Sequence, residues 1–349
     1  MIQVYSDVLA FRGNHYDFGK FQARQLRHSP ILANRRKQWE GMRDRHFRID
    51  ISEVKAAIVS IAPKIWEEME GLKDGLGISL EEAVRQFGGY YLEYGRSGCS
   101  ILTDAHYMIR NYDNDPTSYE GRFVLFQPDD DGYATVGPTM QITGRTDGMN
   151  EKGLVIGYNF VNRRNSGTGF VCNMIARLVL ETCATAEEAV ALLKELPHRH
   201  SFNYVLLDRS GASVIVEASA REVAVRQGNI CTNHFARLTE ENRYRIDESQ
   251  TRAEAIRSHA SNVQNVYEAF RVLNDTDKGV FSKKYGTWAG TLHTAAYLPE
   301  KLEAWIALGG DRMPVIFSFE KWLRGENMYI KRIKGELEAT APFVNMTYL

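Results

Sequence analysis

About a quarter of the way along, the chain reads Arg96-Ser97-Gly98-Cys99-Ser100-Ile101-Leu102, and shortly afterwards Met108-Ile109-Arg110-Asn111-Tyr112-Asp113. The pair predicts a short antiparallel hairpin that begins at the cysteine. With Asp104-Ala105 as a two-residue turn, Cys99 lies directly opposite Arg110. A guanidinium beside a sulfur favours the thiolate. Strict alternation points Asp113 away from the face that carries Arg110, so a bulge or the end of the strand has to re-aim it.

The two flanks of this hairpin differ in period. Residues 1–97 are expected to be mostly helical after one opening strand at 2–10. Asp50 and Glu53 form a capping box, and Val54, Ile58, Ile61, Ile65, Met69 and Leu72 then recur at spacings of three and four, with Pro63 set to kink or restart the helix. Ser79 and Glu82 repeat the capping signature and open an amphipathic helix expected to end near Tyr94-Gly95. Beyond Cys99 the pattern shifts to strands at 108–111, 153–159, 204–207 and 214–218, the last two joined at Asp208-Arg209-Ser210-Gly211. Helices are expected at 170–183, at 186–196 behind a Thr185/Glu188 capping box, and at 251–259 and 263–273, and a final hairpin pairs 292–297 with 302–308. Helices grouped in blocks argue for layers packed outside sheets, an α+β arrangement.

Composition narrows the function. With 43 Lys and Arg against 44 Asp and Glu, the formal net charge of -1 leaves no field to gather a polyanion, so nucleic acid is not expected as a partner. No run approaches the roughly 20 apolar residues that cross a bilayer. The opening Met1-Ile2-Gln3-Val4-Tyr5-Ser6-Asp7 lacks the basic and apolar regions of a secretory signal. Cys99, Cys172, Cys183 and Cys231 are too scattered for a disulfide framework and include no Cys-x-x-Cys pair for zinc. A cytoplasmic protein without membrane partner, metal or cofactor is expected. Pro197-His198-Arg199-His200 reads as a surface or loop segment rather than a metal site, and Arg43-Asp44-Arg45-His46-Phe47-Arg48 as a solvated face. Gly286-Thr287-Trp288-Ala289-Gly290 lacks the strand, helix and Lys of a nucleotide cradle.

The Gly98-Cys99 bond carries the chemistry. With no side chain at Gly98, its carbonyl is open to the Cys99 thiol, and an N-to-S acyl shift followed by hydrolysis leaves Cys99 with a free α-amine. That amine has a pKa of about 8, close to the about 8.5 of a free thiol, so the two exchange a proton easily near neutral pH. One residue then supplies both nucleophile and base.

Gly98-Cys99-Ser100 with Arg110-Asn111-Tyr112-Asp113 resembles the N-terminal-nucleophile amidases of the choloylglycine hydrolase and penicillin V acylase group, whose mature chains begin at Cys and continue to an Arg-x-x-Asp motif. The long segment ahead of Cys99 is similar to the acyl-coenzyme A:6-aminopenicillanic acid acyltransferase family, in which a precursor is cut at an internal Gly-Cys bond into a small helical subunit and a large one. Gly13-Asn14-His15-Tyr16-Asp17-Phe18-Gly19 and Pro63-Lys64-Ile65-Trp66-Glu67-Glu68-Met69-Glu70-Gly71 look like that small subunit. The stretch from Asp147-Gly148-Met149-Asn150 to Gly157-Tyr158-Asn159-Phe160 resembles the strand that ends in an oxyanion-hole Asn, here Asn159. Cys231-Thr232-Asn233-His234 resembles the segment of a second active-site amide, Asn233, and Ser249-Gln250-Thr251-Arg252 the Ser-x-x-Arg that brings a second guanidinium, Arg252. Residues 291–309 look like the closing strand pair.

The resemblance implies a four-layer αββα sandwich with an N-terminal helical segment, residues 1–98 and 99–349 forming one compact domain and staying associated after cleavage, with homo-oligomers compatible. It implies that Cys99 cleaves or transfers the acyl group of a small linear amide (N-acyl amino acid, bile-salt-like or penicillin-like). In that scheme Asp113 holds the amine, Arg110 and Arg252 favour thiolate, and Asn159 and Asn233 bind the oxyanion. Fixed N–H donors at such a site lower a barrier by about 3 to 4 kcal/mol each. The fungal acyltransferase carries Gln where this chain has Arg110, and the bile-salt and penicillin V hydrolases lack the long N-terminal segment.

Other readings stay open at this level. A Cys after a Gly is often a small buried hydrophobe, and Arg110 with Asp113 could be a surface ion pair. A papain-like thiol hydrolase would serve Cys99 from a distant His234 or His293, although the Cys-flanking signature is absent. A non-enzymatic protein that only holds an acyl ligand is the third reading.

Overall fold

The computed structural model describes residues 1–39, 49–90, 97–162 and 166–339. The expected helix end at Tyr94-Gly95, Arg96 and the basic run from Arg43 to Arg48 lie outside the described residues.

Strand β1 (Ile2–Arg12) leads into helices α1 (His15–Leu26), α2 (Ile31–Trp39), α3 (Ile51–Val59), α4 (Pro63–Leu76) and α5 (Leu80–Phe87). The hairpin β2 (Ser100–Asp104) and β3 (Tyr107–Asn114) follows, then β4 (Arg122–Gln127), β5 (Thr135–Met140), β6 (Gly144–Arg145), β7 (Asp147–Asn150) and β8 (Val155–Phe160). Helices α6 (Cys172–Thr182) and α7 (Ala186–Glu195) precede β9 (Phe202–Leu207), β10 (Ser213–Ala218), β11 (Val223–Arg226) and β12 (Ile230–Cys231). After α8 (Ile246–Ala260) and α9 (Val266–Asn274) come β13 (Gly290–Leu298), β14 (Glu303–Leu308), β15 (Val315–Ser318), α10 (Phe319–Leu323) and β16 (Arg332–Leu337).

Two sheets result. The larger runs β11-β10-β9-β8-β7-β5-β4-β1-β16 with β6 beside β5, and the smaller runs β12-β2-β3-β13-β14-β15. Side chains alternate across each strand, and the alternation sorts the core into layers. Along β8 and β9, Ile156, Tyr158, Tyr204 and Leu206 face α3 to α7, whereas Val155, Val205 and Leu207 face the other sheet. Ile101 and Met108 of the smaller sheet meet them there, while Leu102 and Ile109 turn to Ile256 of α8 and Phe270 of α9. The order of layers is therefore helix, sheet, sheet, helix, the αββα sandwich expected from the resemblance.

Helix boundaries follow local chemistry. Asp50 caps α3 by accepting from the backbone N of Ser52 and Glu53, Ser79 caps α5 and Thr185 caps α7. Pro63 restarts the chain as the first residue of α4, where its missing N–H is no loss. The amphipathic run after Ser79 ends sooner than its apolar spacing suggests. Its last helical residue is Phe87, because Gly88 and then Gly89, at φ 57°, turn the chain, and Tyr90 bridges to Phe170. Helices α1 and α4 cross backbone to backbone. A side chain added at Gly71 would meet the carbonyl of Tyr16, and one added at Gly19 the carbonyl of Glu68.

Residues 1–90 are woven into the rest. Strand β1 lies between β4, to which it is parallel, and β16, to which it is antiparallel. Buried charges also tie these helices to later parts of the chain. Glu68 pairs with Arg177 at 2.7 Å and accepts from Gln22 at 2.5 Å, and Arg35 pairs with Glu120. His15 sits between Asp130 at 2.7 Å and Glu181 at 3.2 Å. Against the effect of burial, Glu181 lifts His15 to about 8.

The hairpin that follows Cys99 differs in register from expectation. Its turn is Ala105-His106, with Asp104 opposite Tyr107, so Arg110 faces Ile101 and not Cys99. The slip is two residues, an even number, and leaves every side chain on its expected face. Cys99 and Arg110 therefore remain diagonal neighbours on one side of the sheet.

Candidate active site

Cys99 directly precedes β2, only 1% exposed, in the core shared by the two sheets. Around its Sγ stand Ser97 Oγ at 3.0 Å, Nη2 of Arg110 at 3.4 Å and the backbone N of Asp113 at 3.4 Å. Ser97 and Gly98 are buried as well, so the thiol and the peptide bond ahead of it are enclosed together.

Arg110 is buried completely, a placement that a guanidinium tolerates only when paired. Its Nη1 donates to Asp147 Oδ2 at 2.7 Å, its Nη2 to the carbonyl of Tyr158 at 2.5 Å, and the group lies 4.9 Å from the ring centroids of both Tyr112 and Tyr158. Gly157 makes room for it: a side chain there would begin 3.0 Å from Arg110 Cδ. Asp147 also accepts from the Tyr297 hydroxyl at 2.6 Å and faces His293 Nε2 at 3.1 Å. Burial alone would raise Asp147, but His293, Arg110 and Tyr297 together hold its carboxyl well below the usual carboxylate range. Burial also pushes the Cys99 thiol above its ordinary value. Arg110 pulls it toward thiolate, and in the enclosed chain that pull is the smaller influence.

Asp113 and Arg252 close on the peptide bond itself. Thr291 Oγ1 donates to Asp113 Oδ1 at 2.6 Å, across a register shift in β13 between Thr291 and His293. The bulge expected to re-aim Asp113 thus lies on the partner strand. Asp113 Oδ2 is buried without a hydrogen-bond partner and lies 3.2 Å from where a side chain at Gly98 would begin; Arg252 Nη1 lies at the same 3.2 Å. A larger residue at Gly98 would press on both groups. Arg252 Nη1 donates to the Gly98 carbonyl oxygen at 2.7 Å and its Nη2 to Asn233 Oδ1 at 2.5 Å. Burial pushes Asp113 up to about 7, opposed by Arg252, the Thr291 hydrogen bond and Arg110.

Asn233 is held on three sides, by Arg252, by Ser249 Oγ on its backbone N at 2.7 Å, and by the Phe160 carbonyl on its Nδ2 at 2.7 Å. Asn159 donates from Nδ2 to the Cys231 carbonyl at 2.9 Å, and its Oδ1 is buried without a partner. The structure therefore gathers Cys99, Arg110, Asp113 and Arg252 at the Gly98-Cys99 bond. Asn233 joins them through Arg252, while Asn159 stands next to Tyr158, whose carbonyl Arg110 holds.

The two histidines weighed as distant bases serve other partners. His234 Nδ1 lies 2.8 Å from Ser249 Oγ, and His293 is spent on Asp147. His198 and His200, expected in a surface or loop segment, are in a loop and buried, and desolvation lowers them to about 4 and about 3, the state of neutral rings.

The family model of acyl-coenzyme A:6-aminopenicillanic acid acyl-transferase matches residues 102–313. The chain belongs to this family. Arg110, Asp113, Asn159, Asn233 and Arg252 all fall inside the span that defines the family here, and the Gly98-Cys99 bond lies just ahead of it. A search of curated proteins finds no match. Among solved structures, the chain is similar to penicillin V acylase from Agrobacterium tumefaciens (16% identity over 64% of this chain and 79% of the other, TM-score 0.41). It is also similar to a mutant of conjugated bile acid hydrolase from Clostridium perfringens (15% identity, 71% and 100%, TM-score 0.46). A third is the Caenorhabditis elegans ortholog of N-acylethanolamine-hydrolyzing acid amidase (14% identity, 58% and 93%, TM-score 0.39).

In this member of the family, sequence reasoning missed Asp147, Tyr297 and Thr291 as parts of the site. Asp147 had a visible signal, an acidic residue opening a strand of an otherwise apolar core. Thr291 had none, since its role depends on the bulge.

Proposed function

We propose that the chain is a self-processing N-terminal-cysteine amidohydrolase or acyltransferase acting on a small linear amide. The observation that supports this most is the set of groups on one peptide bond: Arg252 on the Gly98 carbonyl oxygen, Asp113 beside Gly98, and the Cys99 thiol flanked by Arg110. In the first stage the Cys99 sulfur adds to the Gly98 carbonyl carbon, and Arg252 takes the charge that develops on oxygen. The C–N bond breaks, the thiol proton passes to the nitrogen, and a Gly98–Cys99 thioester remains. Water hydrolyses it to a Gly98 carboxylate, a free thiol and a free Cys99 α-amine.

The mature site uses the same groups. The amine, held by Asp113, takes the thiol proton and returns it to the leaving nitrogen of the substrate. Arg110 and Arg252 favour the thiolate, Asn159 and Asn233 receive the oxyanion, and water or an acceptor amine releases the acyl group. The fragments 1–98 and 99–349 stay together, since β1 is built into the larger sheet and the Glu68–Arg177 and His15–Glu181 pairs cross between them. Four free cysteines suit a reducing cytoplasm.

Cys99→Ala tests the scheme directly. It should abolish both cleavage and turnover of N-acyl amides, whereas Cys99→Ser retains slow processing; full activity in the alanine variant contradicts the assignment.

A further inference from the structure

The Gly98 carbonyl does not vanish when its peptide bond is cut; it becomes a carboxylate, and the group already bonded to it is a guanidinium. Arg252 Nη1 donates to this oxygen at 2.7 Å, and Arg252 is itself steadied by Asn233 at 2.5 Å. Gly98 and Ser97 are buried, and Ser97 Oγ lies 3.0 Å from the nucleophilic sulfur. Resting on the self-processing reading above, we propose that the Arg252–Asn233 pair is a carboxylate-binding site whose first occupant is the protein's own new chain end. The Gly98 carboxylate stays clamped on Arg252, and the Ser97-Gly98 tail covers Cys99 in the processed protein.

The charges of the cut support this. Hydrolysis creates one anion at Gly98 and one cation at the Cys99 amine. The anion forms against Arg252, and the cation forms where Asp113 Oδ2 is buried without a partner, 3.2 Å from the position of a side chain at Gly98. Each new charge meets an opposite one in place, and the guanidinium that held a neutral carbonyl oxygen now faces a full negative charge. The peptide bond that held the tail is gone, but the contact that replaces it is stronger than the neutral carbonyl contact before it. The processed enzyme is thus self-inhibited. Its acyl site opens when the tail leaves, and a substrate that offers a carboxylate competes for the same guanidinium.

The test uses the processed two-fragment protein as purified. It is treated with carboxypeptidase and then with iodoacetamide, and native mass spectrometry reads tail length and alkylation in each intact complex, with peptide mapping to assign the label to Cys99. Complexes that have lost Gly98 and Ser97 should be labelled at Cys99 at least about tenfold faster than untrimmed ones, and trimming in the native protein should be at least about tenfold slower than in urea. Equal labelling of trimmed and untrimmed complexes, or trimming as fast as in urea, overturns the proposal while leaving the processing scheme intact. A chain that stays at full mass contradicts the processing scheme, and this proposal with it.

Discussion

Asp147 takes one arm of the Arg110 guanidinium at 2.7 Å while the other arm lies 3.4 Å from the Cys99 sulfur. The cation beside the thiol is therefore held, and partly neutralised, by a carboxylate on the facing sheet. Both side chains are fully buried. Replacing Asp147 by Asn keeps the shape but takes the opposing charge from Arg110 in the core, which should cost about 3 to 5 kcal/mol of stability. Urea unfolding of D147N measures it. A loss below about 1 kcal/mol would mean that the pair does not hold Arg110 in place.

Arg252 is expected to act on the self-cleavage more than on the fold. Arg252→Ala removes the donor on the Gly98 carbonyl and should slow appearance of the two fragments by about 10²- to 10³-fold, the range for loss of one oxyanion donor. The time course on a denaturing gel checks this, with circular dichroism to show that the variant is folded. Cleavage at the parent rate would remove Arg252 from the reaction.

Asp113 sets a pH dependence. Burial pushes its carboxyl up to about 7, so the anion that is to hold the nascent amine forms only as pH rises through that value. Processing should accelerate up to about 7 and then level off, and D113N should be slower by about 10²-fold with no such rise. The stability sign is opposite. From the ordinary carboxylate value of 3.8 up to about 7, the unfolded chain has released the proton that the native state keeps, so the parent loses stability relative to D113N as pH rises through this window.

His15 carries the reverse signature in the N-terminal helices. Glu181 lifts its ring from 6.5 to about 8, so its contribution is fully present below 6.5 and is lost as pH rises through about 8. Thermal unfolding at about pH 6 and about pH 9 should separate the parent from H15Q widely at the lower value and little at the higher one. Equal separation at both would mean that His15 is neutral between its two carboxylates.

Many single elements were legible in the sequence because they rest on local signals: the caps at Asp50, Ser79 and Thr185, the restart at Pro63, and the strand periods of β8 to β10; the αββα order of the layers came from the resemblance. The hairpin register was not legible. Two-residue turns at Asp104-Ala105 and at Ala105-His106 put the same side chains on the same faces, so the apolar pattern does not separate them. The end of α5 was missed for a related reason, as apolar spacing continues through the Gly88-Gly89 pair that stops the helix. In the site, residue types brought out Cys99, Arg110 and Asp113 through their spacing. The contact of Arg252 with Gly98 joins positions 154 residues apart and depends on where α8 lies, which no local pattern encodes.

Self-cleavage at Cys99 is read most directly from the intact mass of the purified protein under denaturing conditions, paired with the Cys99→Ala variant. Two fragments are expected from the parent, parting between Gly98 and Cys99, and a single full-length chain from the variant. A parent that remains one polypeptide after prolonged incubation at pH 8, or a variant that is cut at the same bond, would contradict it.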